Sequence, residues 1–229
     1  MPSKSKNISD KAYVHIRESL LNSGVYVGQK IPHHELGQKL GISHTPLREA
    51  LFRLAAEGLL MHQNNKGFSV PAITFEEARE IYEAREVIEP YLAERAAQLI
   101  TKTKIKSFSK ILETYQQLMS EHYNRQRILT DKKFHMEIAG FAGNKTLAQM
   151  LNQMYDKLIF KSPVERISTE RVKEAIIEHS EILKKLEAKD GKGAAELMRN
   201  HIRKQSDYVL SNIIKKKNSE ALHLLRPLK

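Results

Sequence analysis

Apolar residues recur along this chain at intervals of three and four far more often than at intervals of two, so its pattern dictates helix almost throughout. Residues 12–24 carry the first such stripe, with Ser9 or Asp10 as its N-cap and residues 1–10 a loose polar lead-in. Gly24 and Gly28 frame a loop, after which residues 33–41 and 45–58 form two short helical patterns joined by the turn Gly41-Ile42-Ser43-His44. Residues 59–70 break the rule. Two apolar stretches there flank Asn64-Asn65-Lys66-Gly67, residue types that tolerate positive φ, and a hairpin is predicted. From Thr74 onward the helical period returns over residues 74–100, 105–123, 128–143, 144–160, 168–190 and 192–217. Thr74 and Glu77 have capping-box spacing, and Pro90 is expected to kink the first of these helices.

The expected fold is therefore mainly α: a winged helix-turn-helix over residues 1–73, an all-α antiparallel helical bundle over 74–214, and a basic tail over 215–229. Composition narrows the function. The 229 residues include no Cys, which excludes a disulfide scaffold, a thiol nucleophile and any Cys-ligated metal. No apolar run reaches the roughly 18–20 residues that cross a bilayer and no signal-peptide pattern opens the chain, so no membrane partner and a cytoplasmic location are expected. The formal net charge of +11 points toward a polyanion, although residues 1–72 carry only +4 of it and the last fifteen residues another +4.

In the N-terminal module, the second helix of the pair is the one shaped for a major groove. Ser43 or His44 stands at its N-cap, where free backbone N–H groups can face a phosphate. Pro46 fits the first turn because its missing N–H would be unpaired there anyway. Thr45 and Arg48 lie on the outward side, while Leu47, Ala50, Leu51 and Leu54 form the inward stripe. Lys66 and Gly67 occupy the tip of the hairpin.

These residues carry a resemblance. The run Thr45-Pro46-Leu47-Arg48-Glu49-Ala50-Leu51, followed by Glu57-Gly58-Leu59 and Gly67-Phe68-Ser69-Val70, is similar to the signature of the GntR family of bacterial transcription regulators. The resemblance implies operator contacts at His34, His44, Thr45, Arg48, Lys66 and Gly67. His44 stands where the family usually carries Arg, so the operator sequence cannot be borrowed.

The C-terminal module carries the chemistry. Asp131 and His135 are one helical turn apart beside the stripe Phe134, Ile138, Phe141. His179 falls in the stripe Ile176, His179, Leu183, Leu186, and His201 in the stripe Ala194, Met198, His201, Gln205, Tyr208. Three helices thus turn a His, and one of them an Asp, toward a common interior. Burying such a group unpaired costs roughly 1–3 kcal/mol or more, so the four satisfy one another or share a cation. A hydrogen-bonded core cluster and a site for zinc, nickel or manganese both fit this spacing. With a divalent ion the site would carry about one positive charge and welcome an organic anion. Arg85, between Ile81 and Ile88 on the first long helix, is a further candidate for a ligand carboxylate, against a plain salt-bridged role.

This half resembles the FCD domain of the FadR-like subfamily, through Asp131/His135, Glu178-His179 with Ile182, and His201-Ile202. Gly143-Asn144 and Asp190 also match its pattern, while Ser180 stands where an Arg often follows the second His. The resemblance implies Asp131, His135, His179 and His201 as metal ligands, a small organic acid as effector, and a homodimer on double-stranded operator DNA, with repression relieved by ligand as the family's default. Two alternatives accompany that reading: a regulator for which the metal itself is the signal, and a metal-dependent enzyme, against which no general base stands beside the ligands.

Overall fold

The computed structural model describes residues 4–23, 26–118, 125–161 and 168–224. Nine helices and one hairpin are formed by these residues, in the order α1 Lys4–Ser23, α2 His33–Leu40, α3 His44–Ala56, β1 Met61–Gln63, β2 Gly67–Ser69, α4 Phe75–Leu99, α5 Lys102–Gln117, α6 Arg125–Phe141, α7 Lys145–Lys161, α8 Thr169–Glu187 and α9 Gly191–Leu224. They divide into two compact units. The first holds α1–α3, the hairpin and the part of α7 from Tyr155; the second holds α4–α6, α7 up to Met154, α8 and α9.

In the first unit, α1 buries Ala12, Ile16, Leu20 and Leu21, and α3 buries Leu47, Ala50, Leu51 and Leu54. The start of α1 differs from expectation, since helix is already present at Lys4. Ser9 and Asp10 do not cap it because both face α3: Ser9 Oγ bonds Glu49, and Asp10 Oδ1 lies 2.9 Å from Arg53 Nη1. Arg53 also sits over the Tyr13 ring, 3.9 Å from its centroid. Gly41 closes α2 with φ +63°, a left-handed conformation that carries no penalty for glycine.

The hairpin forms as its pattern predicts. β1 and β2 pair antiparallel with Met61 opposite Ser69 and Gln63 opposite Gly67. The turn places Asn65 at φ +61° and Gly67 at φ +80°. A third stretch adds to its edge: Gly28 and Ile31 donate backbone hydrogen bonds to Val70 and Phe68, and Val70 returns one to Gln29. This is a small wing beside α3.

In the second unit α4 packs on α6, α8 and α9, and α5 on α6 and α8. Thr74 Oγ1 accepts from Glu77 N at 3.0 Å and starts α4, which continues through Pro90. Ser168 and Asn144 cap α8 and α7 in the same manner, accepting from Arg171 N and Leu147 N. Asp190 Oδ1 accepts from Gly193 N in the first turn of α9. Residues 215–224 of the expected tail continue α9, because no Pro or Gly interrupts the helical pattern after Gly193. Residues 225–229, the end of that tail, lie outside the described residues, as does Gly24.

Candidate functional site

The reading head presents its candidate residues on exposed turns. Leu47, Ala50, Leu51 and Leu54 take the inward face of α3, which leaves His44, Thr45 and Arg48 outward. Ser43 is extended at the N-cap, but its hydroxyl accepts no capping hydrogen bond. The N–H groups of the first turn are therefore not answered by that side chain. A cleft of about 200 Å³ between α3 and the wing is lined by His33, His44, Arg48, His62, Gly67 and Phe68, among others. It brings together three of the expected residues, His44, Arg48 and Gly67. Thr45, Lys66 and His34 are not in its lining; Lys66 is exposed at the hairpin tip and His34 is exposed on α2. Arg48 lies over Phe52 at 5.4 Å. His33 and His62 have no part in the sequence-based set, and they stand out only once the wing folds beside α3.

In the second unit α6, α8 and α9 bring Asp131, His135, His179 and His201 together. One ligand atom from each lies within 4.8 Å of every other. The three imidazoles are buried, at 1%, 0% and 2% exposure in that order, whereas the Asp131 side chain is 26% exposed. His179 Nε2 is 3.2 Å from His201 Nε2 and 3.6 Å from Asp131 Oδ1. Metal–nitrogen bonds of about 2.0–2.1 Å put neighbouring ligand atoms about 3.0–3.4 Å apart, so these spacings suit a shared divalent ion. At 3.2 Å the two facing imidazole nitrogens either share one proton in a hydrogen bond or face a common cation.

The outer sides of the rings differ from one another. Glu89 Oε2 of α4 is 2.5 Å from His135 Nδ1, and its Oε1 accepts from Arg85 Nε at 2.6 Å. Glu178 Oε2 of α8 is 2.6 Å from His201 Nδ1. The same carboxylate takes a two-pronged contact from Arg171, with Nη1 at 3.1 Å and Nη2 at 2.9 Å, and a third from Lys204 Nζ at 3.0 Å. His179 instead stacks on Phe134, ring centroids 4.3 Å apart, with Tyr115 at 5.6 Å. Its Nδ1 is buried and has no hydrogen-bond partner among the described residues.

Electrostatics follow from these neighbours. Burial opposes the charge on Glu89, but Arg85 and His135 overcome it and hold its pKa at about 2. Burial likewise opposes Glu178, and His201 with Arg171 bring it to about 2. Burial pushes His179 well below the usual imidazole value, reinforced by His201, His135, Arg171 and Arg85. His201 also falls through burial, although Glu178 works against the shift. Neutral imidazoles are the form that ligates a metal.

Of the two roles open to Arg85 in the sequence, the structure shows the salt-bridged one. It is buried, bonds Glu89, and lies 4.9 Å from the Tyr82 ring centroid. Sequence reasoning misses Glu89 and Arg171 altogether and gives Glu178 no role of its own. A signal exists for Glu89: it follows Arg85 by four on the inward face that runs through Ile81, Tyr82, Leu92 and Ala96, where an unpaired carboxylate would not survive.

Known proteins show the same two-part organisation. Residues 8–70 match the bacterial regulatory proteins of the gntR family, and residues 80–204 match the FCD domain. The Nta operon transcriptional regulator of Aminobacter aminovorans is 28% identical over 81% of this chain and 87% of its own length. The HTH-type transcriptional repressor RspR of Escherichia coli is 24% identical over 93% and 92%. The solved structure of E. coli McbR/YncC has the same fold, with a TM-score of 0.79 at 21% identity, covering 95% of this chain and all of the other. Among the described residues no helix is long and apolar enough to cross a membrane. With a winged head matched at one end and an FCD domain over more than half its length, the chain belongs to the gntR family of bacterial regulatory proteins, and it is a DNA-binding transcription regulator rather than an enzyme.

Proposed function

We propose that this chain is a homodimeric repressor whose helical unit detects a small organic carboxylate through a divalent transition metal. The observation that carries the proposal is the convergence of Asp131, His135, His179 and His201, with a ligand atom of each within 4.8 Å of the others. The donor set of three nitrogens and one oxygen suits zinc, nickel or manganese. The ion would supply a positive, Lewis-acidic position for a carboxylate oxygen. Asp131 is the most exposed of the four, which supports access for an acid from its side.

On the DNA side, Thr45, Arg48 and His44 at the start of α3 read the major groove, while Lys66, Gly67 and His34 hold the flanking backbone. Exposure of all but the half-buried Gly67, and their lack of any role in the head's core, support this assignment. RspR, a relative over nearly the whole length, is named a repressor, which supports the same sign here. For the acid to act as a signal it must bind the DNA-competent and DNA-incompetent states with different affinity.

Native mass spectrometry of the purified full chain tests the reading directly. A dimer carrying one divalent ion per protomer, with His179→Ala emptied of metal but still folded, is the expected result. A metal-free wild-type chain after zinc and nickel addition, or full metal retention by His179→Ala, overturns it.

A further inference from the structure

Resting on the assignment of α3 and the wing to the DNA face, a second role emerges for the cleft between them. His62 stands opposite Phe68 in the hairpin register, and residues directly opposite share a face. Phe68 is buried and lines the cleft, so His62 is turned the same way, toward α3. Its ring centroid lies 4.7 Å from those of both Phe52 and Phe68, and Phe52 also carries Arg48 at 5.4 Å. One aromatic pair thus holds an imidazole and a guanidinium beside the same cavity, on rings whose faces favour cations. Two more imidazoles reach it from helix starts: His33 opens α2 and His44 opens α3.

The charge around this cleft has one sign. Three imidazoles and one guanidinium line it, and no carboxylate among the described residues does. The acids closest in sequence are engaged elsewhere or point away: Glu49 of α3 is bonded by Ser9 Oγ of α1, and Glu35 of α2 is exposed outside the lining. His34 and Lys66 are likewise exposed outside it. The floor is apolar, formed by Leu47, Leu51 and Phe68. N–H donors around an apolar floor suit a ligand that only accepts hydrogen bonds, and a phosphate group is such a ligand. A winged head puts α3 into a major groove with the wing alongside, so the sugar-phosphate strand bordering that groove passes between the two.

We infer that His33 and His62 hold a backbone phosphate in this cleft, beside the groove-reading His44 and Arg48, and that the head takes up protons there as it binds DNA. Imidazole is the side chain whose charge generally changes between about pH 5 and 8. A phosphate among such rings favours their charged form, so protons bind together with it. The sign follows. Affinity is highest below the imidazole range, where the rings are charged with or without DNA. It falls as pH rises through that range, by about tenfold per pH unit for each proton taken up, and levels off above it. A phosphate carries no sequence information, so the effect appears on any duplex.

The full chain, His33→Gln, His62→Gln and the double variant test this. Glutamine keeps a hydrogen-bonding amide and loses the titratable charge, and both positions are exposed, outside the core of the head. Each protein is titrated with a fluorescein-labelled duplex of mixed sequence from about pH 6 to about pH 8 at constant ionic strength. A chelator is present throughout, so that metal loss does not enter the slope. The wild type is expected to lose about tenfold or more in affinity across the range, each single variant less, and the double variant least. An affinity independent of pH in the wild type overturns the inference. So does a slope that survives in the double variant, since His34 and the histidines of the helical unit are present there too. Failure of the wild type to bind the duplex at any pH would instead remove the DNA assignment of the head itself. Imidazole NMR of the wild type with and without the duplex reads proton uptake at His33 and His62 directly, and decides the matter should His62→Gln disturb the wing.

Discussion

Arginine appears in this molecule in two opposite settings, and the setting decides what each can do. Arg85 and Arg171 are buried against carboxylates, where removal of one partner leaves the other charge stranded, a loss that generally reaches about 3–5 kcal/mol in fully buried pairs. Arg48 is exposed on the first turns of α3, stacked on Phe52, with no carboxylate among its described contacts. It contributes little to the fold and is available to a phosphate or a guanine edge. Arg48→Ala is accordingly expected to leave thermal stability within about 0.5 kcal/mol of wild type. Its operator affinity should fall by about 1–3 kcal/mol if the guanidinium reads a base, with the dependence on sequence relaxed at one position. If it holds a phosphate, the loss is uniform across sequences and the slope of log affinity against log salt drops by about one. Titration of a fluorescent operator duplex at three salt concentrations separates the two, and an unchanged affinity and slope removes Arg48 from the interface.

At the scale of elements, the head depends on how closely α2 can approach α3. Gly37 is the contact point: a Cβ there would stand 3.0 Å from Ile42 O and 3.0 Å from Leu47 Cδ2. Gly37→Ala gains about 0.5–1 kcal/mol in helix propensity but forces a backbone carbonyl and a core leucine apart, an overpacking that costs about 1–3 kcal/mol. The second effect wins. The expected outcome is a head destabilised by about 1 kcal/mol and weaker on DNA, with metal content untouched; a more stable variant would show that α2 is free to shift. Glycine at this position is legible only in three dimensions, and the same holds for much else. The stripes of α3, α8 and α9 are readable because burial repeats every three or four residues, and the hairpin because Asn65 and Gly67 accept positive φ. The histidines are readable because polar residues interrupt those stripes. Glu89 interrupts one as well, yet its partner His135 lies on another helix far along the chain, and no spacing rule joins them. The start of α1 escapes the sequence for a similar reason: Ser9 and Asp10 look like caps locally and are claimed by Glu49 and Arg53 from α3.

For the whole molecule, the positive charge and the metal act on different scales. The net +11 is spread along the chain rather than gathered in the head, so it raises non-specific attraction to DNA everywhere and identifies no surface. A bound ion, by contrast, acts at one place. The ligands come from α6, α8 and α9, and behind them stand the Glu89 and Glu178 bridges. Without a cation, three buried imidazoles and a carboxylate contribute less to cohesion than apolar residues of the same volume would. With one, the free energy of binding is added to the folded state alone: at one hundred times the dissociation constant this is about 2.7 kcal/mol. In a unit of about 150 residues, that is a rise of roughly 5–10 °C in midpoint. Zinc is thus expected to raise the unfolding temperature by several degrees, and a chelator to reverse it. Hydrogen exchange locates the effect: protection should increase in peptides from α6, α8 and α9 and stay constant in α2 and α3. A gain confined to the head would place the ion in the cleft lined by His33, His44 and His62 instead, and a gain nowhere would mean that the four groups satisfy one another as a polar core.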